Sequence, residues 1–150
     1  MNIELLREQI AGDEGRVNFL YLCSLGHKTL GVGHLVTLDD PEWPLPVGTE
    51  VSDDRINEAF ESDIAVTIDD CRMIFKDFDN MPEEIQLCLA NMAFQLGRPT
   101  LSKFKKSVAY ANEGNWSGLA DEILDSRWAK EQTPHRAYRI SDRIRAVADG

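Results

Sequence analysis

Apolar residues recur at Ile56, Phe60, Ile64, Ile68, Cys71 and Phe75, behind a serine, Ser52, that suits a helix N-cap. A stripe this long fits a helix of many turns, one face of which other parts of the chain must cover. It follows residues 39–48, where Pro41, Pro44 and Pro46 surround Trp43. Prolines lack the donors that a strand ladder needs, so this stretch is expected to be an irregular loop. The long helix therefore connects a region before the loop to a region of different character after it.

Before the loop, Ile3, Leu6 and Ile10 stand at helical spacing and Gly12 breaks the pattern, which predicts a short amphipathic helix ending ahead of Glu14. Val17 to Leu22 and residues 29–36 are β-prone and punctuated by Gly26, Gly31 and Gly33, predicting a small antiparallel hairpin or sheet. After the loop, Pro82 suits the first turn of a helix with apolar positions Ile85, Leu89, Met92 and Ala93, closed by Gly97. Further helices are expected near residues 102–112, 116–124 and 134–147, with Asn115 and Thr133 as N-caps. There is no internal repeat, low-complexity segment or linker. The fold class is α+β in one domain over residues 1–150. We expect a β subdomain over about 13–50, a connecting helix over 52–78, and a helical lobe from 80–150 together with 1–12, with a cleft between sheet and lobe.

A length of 150 residues with 43% hydrophobic content supports one buried core. The formal charge of −10 opposes association with nucleic acid or anionic lipid, which are polyanions. The charge is unevenly spread: residues 36–84 hold fifteen acidic side chains against three basic ones, and residues 127–145 hold six basic against two acidic. An anionic ligand is thus expected to meet the C-terminal part first. No apolar run approaches the roughly 20 residues of a membrane span, and the first residues lack a basic and then apolar leader, so residence in the cytoplasm is expected. Cys23, Cys71 and Cys88 are irregularly spaced and read as reduced thiols. No Cys/His spacing suggests a metal site, and no cofactor is expected.

Chemistry concentrates in a short span holding Glu14, Cys23 and Thr29, followed by Gly31-Val32-Gly33-His34. Taken singly, Glu14 reads as a solvated helix-end carboxylate, Cys23 as a small core residue and Thr29 as an ordinary strand residue. Their joint spacing is more specific. Glu, eight residues, Asp or Cys, five residues, Thr resembles the catalytic signature of phage-type lysozymes of glycoside hydrolase family 24. Asp13-Glu14-Gly15, Thr29-Leu30-Gly31-Val32-Gly33-His34, Asn91-Met92-Ala93-Phe94-Gln95-Leu96-Gly97, and Ser126-Arg127-Trp128 through Gln132-Thr133-Pro134-His135-Arg136-Ala137 are similar to family blocks, in the family's order.

The resemblance implies a lysozyme-like fold and cleavage of the β-1,4 bond between N-acetylmuramic acid and N-acetylglucosamine in peptidoglycan. Glu14 would protonate the glycosidic oxygen, since an alkoxide leaves poorly without a proton. Thr29 would hold the attacking water. Cys23 stands where many members carry the aspartate that acts as base or stabilises the oxocarbenium-like transition state. Arg136 resembles the arginine that pairs with the glutamate, and His34 and Asp63 a structural ion pair between sheet and long helix. Gly33, Leu35, Phe94, Gln95, Ser107 and Gln132 match substrate-binding blocks and Trp128 a supporting one, although core is the ordinary reading of Phe94 and Trp128. The implied partner is the glycan strand, met by a monomer without membrane insertion. The protein would reach the wall from the host cytoplasm through a holin-type lesion, or with the virus particle.

Two other readings of the same residues stay open. Cys23 with His27 or His34 as base fits a thiol hydrolase, and a virion module that binds glycan without turnover fits the replacement of aspartate by Cys23. His27 and His135 otherwise read as surface residues.

Overall fold

A computed structural model describes Met1–Gly150. In chain order it contains α1 (Ile3–Glu14), β1 (Val17–Leu22), β2 (Lys28–Gly31), β3 (His34–Leu35), α2 (Asp53–Ile74), α3 (Glu83–Leu96), α4 (Arg98–Leu101), α5 (Lys105–Glu113), α6 (Trp116–Leu124) and α7 (Pro134–Asp149). A single 3-10 turn at Phe78–Asn80 and a wide π-type turn at Trp128–Gln132 complete the order. The α+β class expected from the sequence is what forms, with one small antiparallel sheet and a mainly helical remainder. The chain divides into two compact units, Arg7–Val66 and Met1–Leu6 with Thr67–Gly150, so the boundaries fall inside α1 and α2.

In the first unit, α1 does not stop at Gly12. It continues to Glu14 and ends at Gly15, whose φ of 77° is open to glycine and whose N–H donates to the Ala11 carbonyl at 2.9 Å. A lone glycine costs an α-helix only about 1 kcal/mol, whereas a left-handed residue stops it. The strands lie in the order β1-β2-β3, all antiparallel, with Tyr21 opposite Thr29, Thr29 opposite Leu35 and Leu30 opposite His34. Residues 29–36, read as one β-prone stretch, fold back on themselves because Gly31 and Gly33 take φ values of 58° and 64°. The proline-containing stretch is irregular, as its composition predicts, yet its end runs along β1. Leu20 N–H donates to the Thr49 carbonyl at 2.8 Å, Val51 N–H to Asn18 at 2.8 Å, and Lys28 Nζ holds the carbonyls of Trp43 and Leu45 at 2.5 and 2.6 Å.

Helix α2 begins where Ser52 Oγ accepts the Arg55 N–H at 3.2 Å. Its apolar stripe is buried at all six positions named above. The sheet accepts this helix closely: a β-carbon on Gly31 would lie 2.6 Å from Ile56 Cγ2, so only glycine leaves room for the isoleucine.

In the second unit, α3 is buried over Ile85, Gln86, Leu87, Cys88, Leu89, Ala90, Asn91, Met92 and Ala93, which explains why its apolar residues show no clean one-sided stripe. Asn115 caps α6 by accepting the Gly118 N–H at 2.9 Å. Ser141 of α7 donates to the Ala120 carbonyl of α6 at 2.9 Å. Thr133 occupies the cap position of α7 but makes no capping bond through its side chain, which is engaged with Gln95 instead. The helix read over residues 102–112 forms as α5, beginning at Lys105, and a short helix that the sequence reading did not include, α4, precedes it.

Two glycine substitutions separate these roles. Gly12→Ala meets nothing within 4 Å and is expected to raise stability by about 0.5–1 kcal/mol. Gly31→Ala combines a positive φ with overlap on Ile56 and is expected to lower it by about 2–4 kcal/mol in urea unfolding. Equal effects of the two would contradict this account.

Candidate active site

Glu14 is the last residue of α1, and Gly33 stands in the turn between β2 and β3. A β-carbon on Gly33 would lie 2.7 Å from Glu14 Oε2 and 3.0 Å from Cδ. The carboxyl group therefore rests against bare backbone at a position whose φ of 64° also favours glycine.

Cys23 closes the β1–β2 hairpin, its N–H donating to the His27 carbonyl at 2.9 Å while its own carbonyl accepts from Gly26 at 2.8 Å. Thr29, 2% exposed, donates its hydroxyl to His27 O at 2.9 Å and shares a hydrogen bond with the Cys23 thiol. Burial acts to raise the Cys23 thiol, but hydrogen bonds from the His27 and Leu25 backbone and from Thr29 outweigh it, and the thiol lies below its ordinary value. Cys71 and Cys88 are the reverse: burial pushes both up to about 12. Of the three thiols, Cys23 is the one whose surroundings favour the thiolate.

Tyr21 was not singled out in the sequence. It lies two residues before Cys23 on β1, opposite Thr29, so the alternation of a strand turns all three toward one face. Burial raises its phenol, and the charges of Glu14 and Cys23 raise it further, which keeps it a neutral hydroxyl within electrostatic reach of both. The signal that would have found it was the period-2 pattern through Cys23.

His34 and Asp63 come together, with Nδ1 2.7 Å from Asp63 Oδ2. The loop supplies a second carboxylate: Nε2 lies 2.9 Å from Asp40 Oδ2, whose other oxygen accepts from Arg55 Nη2 at 3.0 Å. Arg55 also grips Glu42 through Nε and Nη2, both at 2.9 Å, and Glu58 at 2.8 Å. The hydrogen bond and charge of Asp63 raise the His34 imidazole against burial, with Asp40 adding to them. Burial acts to raise Asp40, and the Thr37 N–H, His34 and Arg55 together bring it below its ordinary value.

The other candidates belong to the second unit. Arg136 is buried and donates from Nε to Asn91 Oδ1 at 2.7 Å. The Gln95 amide has protein partners at both ends: its Oε1 accepts from Trp128 Nε1 at 2.9 Å and its Nε2 donates to Thr133 Oγ1 at 3.1 Å. Trp128 is buried, Phe94 half-buried, and Gln132 exposed at the end of the π-type turn. Ser107 is buried in the first turn of α5, and Leu35 is exposed on β3. His27 and His135 are exposed.

No family model matches the chain. The chain is similar to T4-type lysozymes over nearly its whole length. It is 29% identical to "Probable T4-type lysozyme 2" of Dictyostelium discoideum over 157 aligned residues, covering 92% of each chain. It is 27% identical to "Probable T4-type lysozyme 1" of the same organism, again covering 92% of each. A third relative, the "Pre-baseplate central spike protein Gp5" of Enterobacteria phage T4, is 25% identical over 91% of this chain but only 27% of its own length. No helix is long and apolar enough to cross a membrane.

The His34 cluster makes stability depend on pH with a definite sign. A raised imidazole contributes fully below its unfolded value near about 6.5 and loses that contribution as pH climbs through the higher folded value. The lowered Asp40 and Glu42 contribute above about 4 and lose it as pH falls through their folded values. His34→Gln should therefore cost about 1.5–3 kcal/mol near pH 6 and clearly less near pH 9. A pH-independent difference between the two proteins in denaturant unfolding would rule this out.

Proposed function

We propose that this protein is a phage-type lysozyme that hydrolyses the β-1,4 bond between N-acetylmuramic acid and N-acetylglucosamine, with Glu14 as general acid. The observation that carries the reading is the seat of Glu14, held at a helix end against the side-chain-free turn at Gly33, in a chain similar to T4-type lysozymes over 92% of its length. Glu14 passes its proton to the bridging oxygen as the bond to the anomeric carbon breaks, and the sugar develops oxocarbenium character. Water then adds to that carbon and loses a proton to Cys23, which occupies the place of the usual aspartate. Thr29 orders this water jointly with Cys23, to which it is hydrogen-bonded. Tyr21 keeps a neutral hydroxyl beside both groups.

The remaining residues divide by what they touch. Gly33, Leu35, Phe94, Ser107 and Gln132 are assigned to the saccharide. Gln95 joins Trp128 as support, because both ends of its amide already have protein partners. His34 and Asp63 brace the sheet, and Arg136 is held ready by Asn91. We assign the protein as a monomer acting on glycan strands. Similarity to the phage spike over a quarter or so of that protein favours carriage with the particle over release through a holin lesion.

Digestion of purified peptidoglycan followed by mass analysis tests the reaction. The expected products carry reducing-end muramic acid, and Glu14→Gln lowers their rate by about 100- to 10,000-fold. New amino termini on intact glycan, or a Cys23→Ser variant that is dead beside an active Glu14→Gln, would establish the thiol hydrolase instead. Gly33→Ala tests the seat of the acid: it should fold, displace the carboxyl group and lower kcat about 10- to 100-fold. Wild-type turnover in a folded Gly33→Ala protein would remove the seat from the mechanism.

A further inference from the structure

The ring of His34 stands between two carboxylates on different elements. Its Nδ1 lies 2.7 Å from Asp63 Oδ2 on α2, and its Nε2 lies 2.9 Å from Asp40 Oδ2 in the proline-containing loop. Ionised carboxylates only accept hydrogen bonds, so both contacts are made at once only when both ring nitrogens carry hydrogen, as in the imidazolium. A neutral imidazole has one N–H and turns a lone pair toward the other carboxylate. One of the two ties is then lost. Behind Asp40 stands Arg55 of α2, which also holds Glu42 of the loop and Glu58 of its own helix, and it keeps the loop carboxylate ionised whatever the state of the ring. From α1, Glu14 faces the same turn across Gly33. All of these groups lie within the unit Arg7–Val66.

This ring is placed to act on the acid. His34 directly follows Gly33, where a β-carbon would lie 2.7 Å from Glu14 Oε2, so the backbone that carries the ring is the backbone on which the carboxyl group rests. Strand β3 contains only His34 and Leu35 and forms the edge of the sheet, which leaves few ladder bonds to hold the turn. At the other end of that turn, Gly31 is fixed by its fit against Ile56. The end nearer the acid depends on the His34 side chain, and two charge-assisted bonds to different elements fix the ring where one leaves it free to swing.

We propose that His34 is a positioning residue for the acid: as an imidazolium spanning Asp40 and Asp63 it fixes the turn that seats Glu14, and loss of its proton lowers turnover by releasing one of the two ties. The proposal rests on the glycosidase reading above and adds to it a pH control that lies outside the reacting groups. The sign follows from the bonds. Both ties are present at low pH, and one is lost as pH rises through the titration of the ring, which Asp63 and Asp40 hold above its ordinary value near about 6.5.

The test follows the His34 ring by NMR and kcat on soluble peptidoglycan strands together, across about pH 5–10. Wild type should lose about 5- to 20-fold in kcat, with KM within about twofold, at the pH where the ring loses its proton. Asp40→Asn supplies an amide whose Oδ1 still accepts from Arg55 and whose Nδ2–H donates to a bare Nε2, so the neutral ring keeps both ties. The N–H of Thr37, an exposed residue, turns to water. In this variant the ring should titrate at lower pH, and kcat should change by less than about twofold as it does so. Asp63→Asn is the mirror case at Nδ1 and serves as the second variant, each protein being checked for native circular dichroism. A fall in kcat that keeps its pH and size in a folded variant, while the titration of the ring has moved, belongs to Glu14 or Cys23 and overturns the proposal. Amide exchange judges the fastening without substrate, through the Val36 N–H that donates to the Lys28 carbonyl at 2.9 Å just beyond β3. Corrected for base catalysis, its protection should fall about fivefold through the same titration in wild type and stay level in Asp40→Asn. Level protection in wild type overturns the proposal. If wild type releases no reducing sugar at any pH, the glycosidase reading fails, and the exchange measurement alone decides whether the ring fastens the turn.

Discussion

Strands of six, four and two residues enclose no interior of their own, so the sheet takes its shape from what is pressed and tied against it. Two contacts with α2 do this. Ile56 fills the space that the missing side chain of Gly31 leaves open, and Arg55 and Asp63 reach out to the Asp40–His34 pair. The first is apolar and tolerates no enlargement. The second is an alternating chain of charges, partly screened from solvent, in which each carboxylate meets a cationic partner. The turn that faces Glu14 lies between these two fixed points, so the placement of the acid follows from how the sheet is fastened.

Much of the architecture was legible because its signals were local. The stripe on α2, the β-prone run of β1, the Asn115 cap and the span of α6 each depend on a few neighbouring residues, and each forms as read. Where the reading missed, a local cue met a stronger competitor. Gly12 looks like a helix stop but has the ordinary φ of its helix, while Gly15 takes the conformation that ends it. Thr133 has the chemistry of a cap, yet its hydroxyl finds Gln95, thirty-eight residues earlier. The fold-back of residues 29–36 depended on two glycines adopting positive φ, which composition permits and does not dictate.

The candidate site shows the same division. Glu14, Cys23 and Thr29 were proposed from spacing, which requires no knowledge of pairing. Tyr21 needed the register of β1 on β2, and Asp40 needed the path of a proline-containing loop that has no periodicity to read. Charge was the least transferable clue. Residues 127–145 look like an anion-seeking segment in one dimension, but their side chains are mostly closed on acids from other helices.

The π-type turn at Trp128–Gln132 has one more consequence. Thr133 N–H reaches back five residues to the Trp128 carbonyl at 3.0 Å, a step that accommodates one more residue than an ordinary α-turn. The turn thus carries one residue more than an α-helical turn between the end of α6 and the start of α7. Trp128 and Thr133, at either end of that widened ring, both hydrogen-bond the same amide of Gln95, which acts as a clasp setting the ring's circumference. A residue added inside the ring would have to leave both of these bonds to Gln95 in place.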